Sequence, residues 1–160
     1  MDAINRRSRR ASRGGRADAK ASGDSGHAGK RVLIVDRDAE TFALCRAALA
    51  PQGFVLETHG NAVAAFSAAR QNPPDLILIA MQLGDASGFE VVDWIRSTPK
   101  LGAARVIALT AMEDDYARLA ASGVSIVLRK PLTIAAILRA VRDTLAHARV
   151  AKTCGQPPSR

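Results

Sequence analysis

Aromatic residues are scarce in this chain: one Trp, one Tyr and four Phe make up 4% of its 160 residues. A folded core must therefore be filled by Ala, Leu, Val and Ile, which the 48% apolar content supplies. Cysteine is scarcer still. Cys45 and Cys154 lie far apart and form no ligand cluster. Cys45 falls on an apolar helical face as core filler and Cys154 in a tail, and a reducing cytosol suits both. No stretch approaches the roughly 18 uninterrupted apolar residues that a membrane helix needs. The N-terminus is Arg-rich without an apolar h-region, so no secretory signal is expected. His27, His59 and His147 are scattered and form no metal or catalytic set, and surface positions are expected for them. Ser12, Ser22 and Ser25 offer no nucleophile constellation. Gly29-Lys30 lacks the spacing, the Ser/Thr and the preceding strand of a phosphate-binding loop. No internal repeat and no second domain are visible, so one domain with tails is expected.

What is abundant is positive charge, and it is unevenly placed. The formal net charge is +8. Residues 1–29 hold seven Lys/Arg against three Asp, and residues 148–160 hold Arg149, Lys152 and Arg160 with no acid. The span 30–147 has thirteen bases and twelve acids, so the basicity belongs to the tails. Residues 1–29 are rich in Arg, Ser, Gly, Ala and Asp, with almost no large apolar groups. They cannot bury enough surface to offset their ordering entropy, so a disordered arm is expected. Its Arg6, Arg7, Arg9, Arg10, Arg13 and Arg16 are candidates for binding nucleic acid through counterion release. No aromatic interleaves with them, so base stacking is absent and any such binding should be weak and non-specific.

From Lys30 onward apolar runs alternate with helical patterns, which implies parallel strands joined by crossover helices. Strands are predicted at Val32–Val35, Phe54–Thr58, Leu76–Ala80, Arg105–Leu109 and Val124–Leu128. Asp38 should cap a helix presenting Phe42, Cys45 and Leu49, ended by Pro51 and Gly53. Gly60-Asn61 opens a second helix carrying Val63, Phe66 and Ala69. Gly88–Arg96 gives a third with Val91, Val92 and Ile95, and Asp114–Ser122 a short fourth. Thr133 caps the last, whose Ile134, Ile137, Leu138, Val141 and Leu145 follow the 3.6 period. Five β/α units make a doubly wound α/β sheet, in which ligand chemistry belongs at the carboxyl ends of the strands. The boundaries predicted are an arm at 1–29, a domain at 30–147 and a frayed basic tail at 148–160.

At those ends stand Asp36, Thr110 and Lys130-Pro131, but the central strand delivers Ala80. The pieces VLIVD (Val32 to Asp36), PDLILI (Pro74 to Ile79), LxxxxGFE (Leu83 to Glu90), VIALTA (Val106 to Ala111) and LRKP (Leu128 to Pro131) are each weak and jointly specific. In this order and spacing the chain resembles the response-regulator receiver domains of two-component signalling, over about three quarters of its length. The resemblance implies a flavodoxin-like sheet of order 2-1-3-4-5. It also implies phosphoryl transfer from a kinase histidine to an aspartate at position 80, metal-binding acids at 36 and 37, a switch hydroxyl at Thr110 and a phosphate-pairing lysine at Lys130.

The chain departs from that pattern. Ala80 has no oxygen to phosphorylate. Arg37 puts a cation where Mg²⁺ needs an oxygen anion, so Mg²⁺ binding is expected to be weak or absent, with no other cofactor. Gly84 replaces the usual loop proline, and Val127 the switching Tyr or Phe. The stretch from Thr110 to Gly123 also looks short. Lys130 is expected to pair with Asp36, with Arg37 either competing for that acid or turned outward; for Thr110, a β-branched residue finishing its strand is the simpler role. Asp38 and Asp85 are the acids that could substitute as acceptors, although a helix cap and a turn explain them more simply. The family implies a cis bond between Lys130 and Pro131.

The expectation is a non-enzymatic, cytoplasmic pseudo-receiver, acting by phosphorylation-independent protein contacts in a phosphorelay. Its implied partners are a histidine kinase, a phosphotransfer protein or another receiver. They would meet the face of the fourth and fifth helices and the fifth strand, and homodimerisation is left open. The alternatives are a nucleic-acid-associated regulator acting through its arm, and a receiver phosphorylated at a non-standard acid.

Overall fold

The computed structural model describes residues 25–112 and 116–153, and the backbone alone for 25 and 147–153. Five strands, β1 (Arg31–Val35), β2 (Val55–His59), β3 (Leu76–Ala80), β4 (Arg105–Thr110) and β5 (Ile126–Arg129), form one parallel sheet of order 2-1-3-4-5. Helices α1 (Ala39–Leu49), α2 (Ala62–Gln71), α3 (Gly88–Ser97), α4 (Tyr116–Ala121) and α5 (Ile134–Thr153) connect and cover it. The doubly wound fold and its strand order are those expected.

Both faces of the central strands β1, β3 and β4 are buried, and alternate residues serve opposite layers. Leu33, Val35, Ile77 and Ile79 pack with Ala62, Ala65 and Ala69 of α2 and Val91, Val92 and Ile95 of α3. Val32, Ile34, Leu76 and Leu78 pack with Cys45, Ala48 and Leu49 of α1 and Ile137, Ala140, Val141 and Leu145 of α5. β3 is buried along its whole length, which is why its sequence is an unbroken apolar run. Each such Leu or Ile contributes on the order of 1.5–3 kcal/mol of burial free energy.

Helix starts are set by side chains accepting from otherwise unpaired amides. Asp38 accepts from Glu40 N at 2.9 Å, Asn61 from Ala64 N at 2.8 Å and Thr133 from Ala136 N at 3.1 Å. Ser87 and Glu90 form a reciprocal capping box that opens α3. Arg96, on the last turn of α3, donates to the carbonyls of Gly102, Ala104 and Gly123 at 3.0, 3.1 and 2.7 Å. One guanidinium thereby ties the α3–β4 loop to the α4–β5 turn. Partial burial, then the nearby Arg105, pull its pKa below the ordinary arginine value.

Several expectations need correction. Val63 is 65% exposed, because α2 turns its alanine stripe to the sheet instead. Alanine lets the helix approach closely, and that phase leaves Val63 on the outer lip. Ile134, in the first turn of α5, is 42% exposed. β2 begins one residue later than predicted and β5 two. Val124 packs against the core beside α3 and α4, and the β5 edge is reached only when Ser125 N donates to Val106 O at 2.8 Å. Ordered structure also precedes residue 30. Ser25–His27 forms a 3₁₀ turn, the His27 ring stacks on Phe54 with centroids 5.5 Å apart, and Gly29 N donates to Gly53 O at 3.0 Å. His27 is thus part of the packed unit. At the other end α5 runs on to Thr153, past the boundary placed at His147. Arg6, Arg7, Arg9, Arg10, Arg13, Arg16 and the span from Cys154 to Arg160 lie outside the described residues, as do 113–115 before α4.

Candidate functional site

The parallel register brings the carboxyl ends of β1, β3, β4 and β5 together. Val35 pairs with Ile79, Ala80 with Leu109, and Thr110 with Arg129. The residues that follow these pairs form the site.

Asp36 is buried just beyond β1, and its carboxylate is held by two groups. The Lys130 ammonium lies 2.6 Å from one oxygen, and Asp38 N donates to the other at 3.1 Å. The Lys130–Pro131 bond is cis, as the family implies, and Lys130 N donates to Thr110 O at 2.8 Å. Two charges out of water must be well paired, and these are. A small cleft of about 310 Å³, between α1 and the β5–α5 loop, reaches this pair past Asp38, Thr41 and Leu132.

Ala80 is 3% exposed and ends β3 under a loop that folds straight back. Gly88 N donates to Met81 O at 2.9 Å, and a Cβ on Gly88 would meet Ala80 O at 2.7 Å. Only glycine allows that approach of α3 to the strand end. Gly84, at φ +86, makes the turn of the same loop. The Arg37 guanidinium lies across Gly84, where a Cβ would come within 2.9 Å of Nη1. Of the two options for Arg37, the outward one holds: its side chain is exposed and leaves Asp36 to Lys130.

Thr110 is buried at the end of β4, and its hydroxyl turns onto the following backbone, accepting from Met112 N at 3.1 Å. It finishes its strand, as expected. Val127 is half-buried against Met81, Phe89, Ala108 and Leu119. The Phe89 ring carries the Arg118 guanidinium 3.9 Å from its centroid.

Both alternative acids are engaged as helix caps. Asp38 caps α1. Asp85 accepts from Ala62 N at 3.0 Å and Val63 N at 3.2 Å, closing the N-terminus of α2 from a distant loop. Those amides, Ala62 first, hold its carboxyl below the usual aspartate range. This second cap on α2 was not visible in the sequence, because it joins residues 23 apart. Cys45 is buried beside the pair. Desolvation, reinforced by the negative charge of Asp36, pushes its thiol up to about 12, so it stays protonated at neutral pH.

The donor set does not fit a hard divalent cation. The one carboxylate at these strand ends is already ion-paired to Lys130, and the residue after it, Arg37, is a cation, whereas Mg²⁺ takes several oxygens. Among the described residues no three His, Cys, Asp or Glu cluster as metal ligands, and no helix is long and apolar enough to cross a membrane.

A doubly wound 2-1-3-4-5 sheet with an acid, a hydroxyl and a lysine at adjoining strand ends defines a receiver-type module. The model of the response regulator receiver domain matches residues 32–142. Over 121 residues the chain is 31% identical to the polar-differentiation response regulator DivK of Brucella anthropi, covering 74% of this chain and 98% of that one. The DivK of Brucella ovis is 30% identical over the same length. The fold is similar to CheY4 of Vibrio cholerae, with TM-score 0.69 and 21% identity over 72% of this chain and 98% of that one. It is similar also to a CheY-like receiver domain protein of Methanospirillum hungatei, with TM-score 0.70 and 19% identity over 78% and 99%. The chain belongs to the response regulator receiver domain family of two-component signalling.

Proposed function

We propose that this receiver domain signals without being phosphorylated, by binding another protein of its pathway. The observation that carries the proposal is Ala80: at the end of β3, between Asp36, Thr110 and Lys130, the chain presents a buried methyl group. A carboxylate is the nucleophile that family chemistry requires there, and a methyl cannot supply one. Arg37 adds a second, independent lesion by opposing a divalent cation, so Mg²⁺ binds weakly or not at all. Asp38 and Asp85 are both engaged as helix caps. Val127 in place of an aromatic removes the rotor by which a modified site would signal to the surface.

The partner in this reading is a histidine kinase, a phosphotransfer protein or another receiver in the cytoplasm, met at the face of α4, β5 and α5. Tyr116 on α4 and Ile134 on α5 are exposed there. Incubating the full chain with acetyl phosphate and Mg²⁺ should give no phosphoprotein mass shift. A shift abolished by Asp38→Ala or Asp85→Ala would overturn the proposal. Ala80→Asp alone should not restore full acceptance, since Arg37 remains.

The nucleic-acid reading rests on the arginines of the arm. Because the span 30–147 is nearly neutral, binding to duplex DNA should come mainly from residues 1–29 and fall steeply with salt. A salt-resistant footprint at one sequence would promote that reading above the first.

A further inference from the structure

A concavity lies away from the strand ends, between α2 and the C-terminal half of α3. It is an open groove of about 1050 Å³. Val63, Phe66 and Arg70 line it along one side of α2, at spacings of three and four residues, and Trp94 lines it from α3. The Phe66 and Trp94 rings pack with centroids 5.5 Å apart and an interplanar angle of 54°, so together they make a tilted apolar floor. Arg70 sits at the rim with its guanidinium 5.9 Å over Phe66, and Lys100 stands at the end beyond Trp94. No Asp or Glu lines the groove. Neither rim cation has an ion pair with a described residue.

We propose that this groove docks an acidic amphipathic helix of a partner protein, a contact separate from the α4–β5–α5 face and independent of phosphorylation. An open trough about 15 Å long, set by the ten residues of α2, suits two or three turns of a third helix. Apolar anchors at i, i+3 and i+7 meet Val63, Phe66 and Trp94, and flanking carboxylates meet Arg70 and Lys100. Charge decides against the other occupants. The chain's own arm carries seven bases against three acids and its C-terminal tail has no acid, so both are repelled. An isologous pairing of two copies through this face would set the same basic rim against itself.

Trp94 is the chain's one tryptophan, so its fluorescence reports the groove. The full chain is titrated with two 18-residue amphipathic peptides sharing one leucine stripe, one flanked by glutamates and its twin by lysines. The glutamate peptide is expected to shift Trp94 emission saturably, while the twin is at least tenfold weaker. Arg70→Glu with Lys100→Glu should weaken the glutamate peptide by at least tenfold and strengthen the twin. Both positions are exposed, and an unchanged circular-dichroism melt checks that this variant folds. The proposal fails if the glutamate peptide gives no shift, if the twin binds equally, if the charge reversal changes nothing, or if an oligo(dT) strand binds the groove more tightly than either peptide. It fails also if Trp94 emission depends on protein concentration alone, which would make the occupant a second copy.

Discussion

The two helical layers that cover this sheet are built from different residues, and the difference places stability on one side and recognition on the other. α1 and α5 present Leu49, Ile137, Val141 and Leu145 to the sheet and bury them. α2 presents Ala62, Ala65 and Ala69, so it approaches closely and leaves its larger residues, Val63 and Phe66, at the lip. One layer is closed by large aliphatic groups. In the other, α3 buries Val91, Val92 and Ile95 but α2 is drawn in by small residues, and a groove opens where the bulky side chains of α2 have no cover.

The sharpest test of that contrast is stability. Leu78→Ala, at a fully buried position facing α1 and α5, should cost about 2–5 kcal/mol through lost transfer energy and a residual cavity. Val63→Ala should stay within about 0.5 kcal/mol, as for an exposed site. Urea unfolding with an unchanged slope measures both. A comparable loss at Val63 would mean that the groove is filled and the two layers are alike.

The next effect belongs to the strand ends. Lys130→Met leaves the Asp36 carboxylate buried with only the Asp38 amide, at a cost of about 1–3 kcal/mol. Asp36→Asn with Lys130→Met should recover much of it, because a buried pair is dearer to break than to replace. If the single and double variants are equally unstable, the ion pair is not what the site loses. On the α3 side, Arg96→Met removes three charge-assisted bonds to carbonyls but from a partly exposed group. The expected loss is about 1.5 kcal/mol, visible as faster amide exchange in the α3–β4 loop.

How much of this was legible follows from the range of the interactions. The strand order, β3 to the residue, the caps at Asp38 and Thr133, and the Asp36–Lys130 pair were all readable, because local periodicity and the family pattern carry them. The phase of α2 was not. Its sequence holds two overlapping stripes, Val63-Phe66 and Ala62-Ala65-Ala69, and only the fit to the sheet selects the second. The roles of Arg96 and Asp85 escape the sequence for a common reason: each acts on backbone groups remote in sequence, where composition gives no signal. His27 reads as arm in the sequence but is packed, its ring stacking on Phe54 while Gly29 N donates to Gly53 O beside it. For Arg37 the sequence allows two options, competing for Asp36 or turning outward. The choice is settled by Lys130 taking Asp36 and by a glycine at 84 leaving room for the guanidinium.

The smallest effect tests whether Asp85 is a cap and not a latent acceptor. Its carboxylate receives the Ala62 and Val63 amides at the positive end of α2, and it is held below the ordinary aspartate range chiefly by the Ala62 N–H. The folded state therefore binds fewer protons there than the unfolded chain at mildly acidic pH. The stability that this confers is complete above the ordinary aspartate range and disappears as acidification passes through the lowered folded value. Asp85→Asn keeps an acceptor oxygen but removes the charge. Its melting temperature should lie slightly below that of the unaltered protein at neutral pH, and the two curves should converge as pH falls. Lowering salt should widen the neutral-pH gap, because the site is exposed and screened. Parallel curves across the whole range would mean that the charge does no capping, and would return Asp85 to the set of free acids that a phosphodonor could reach.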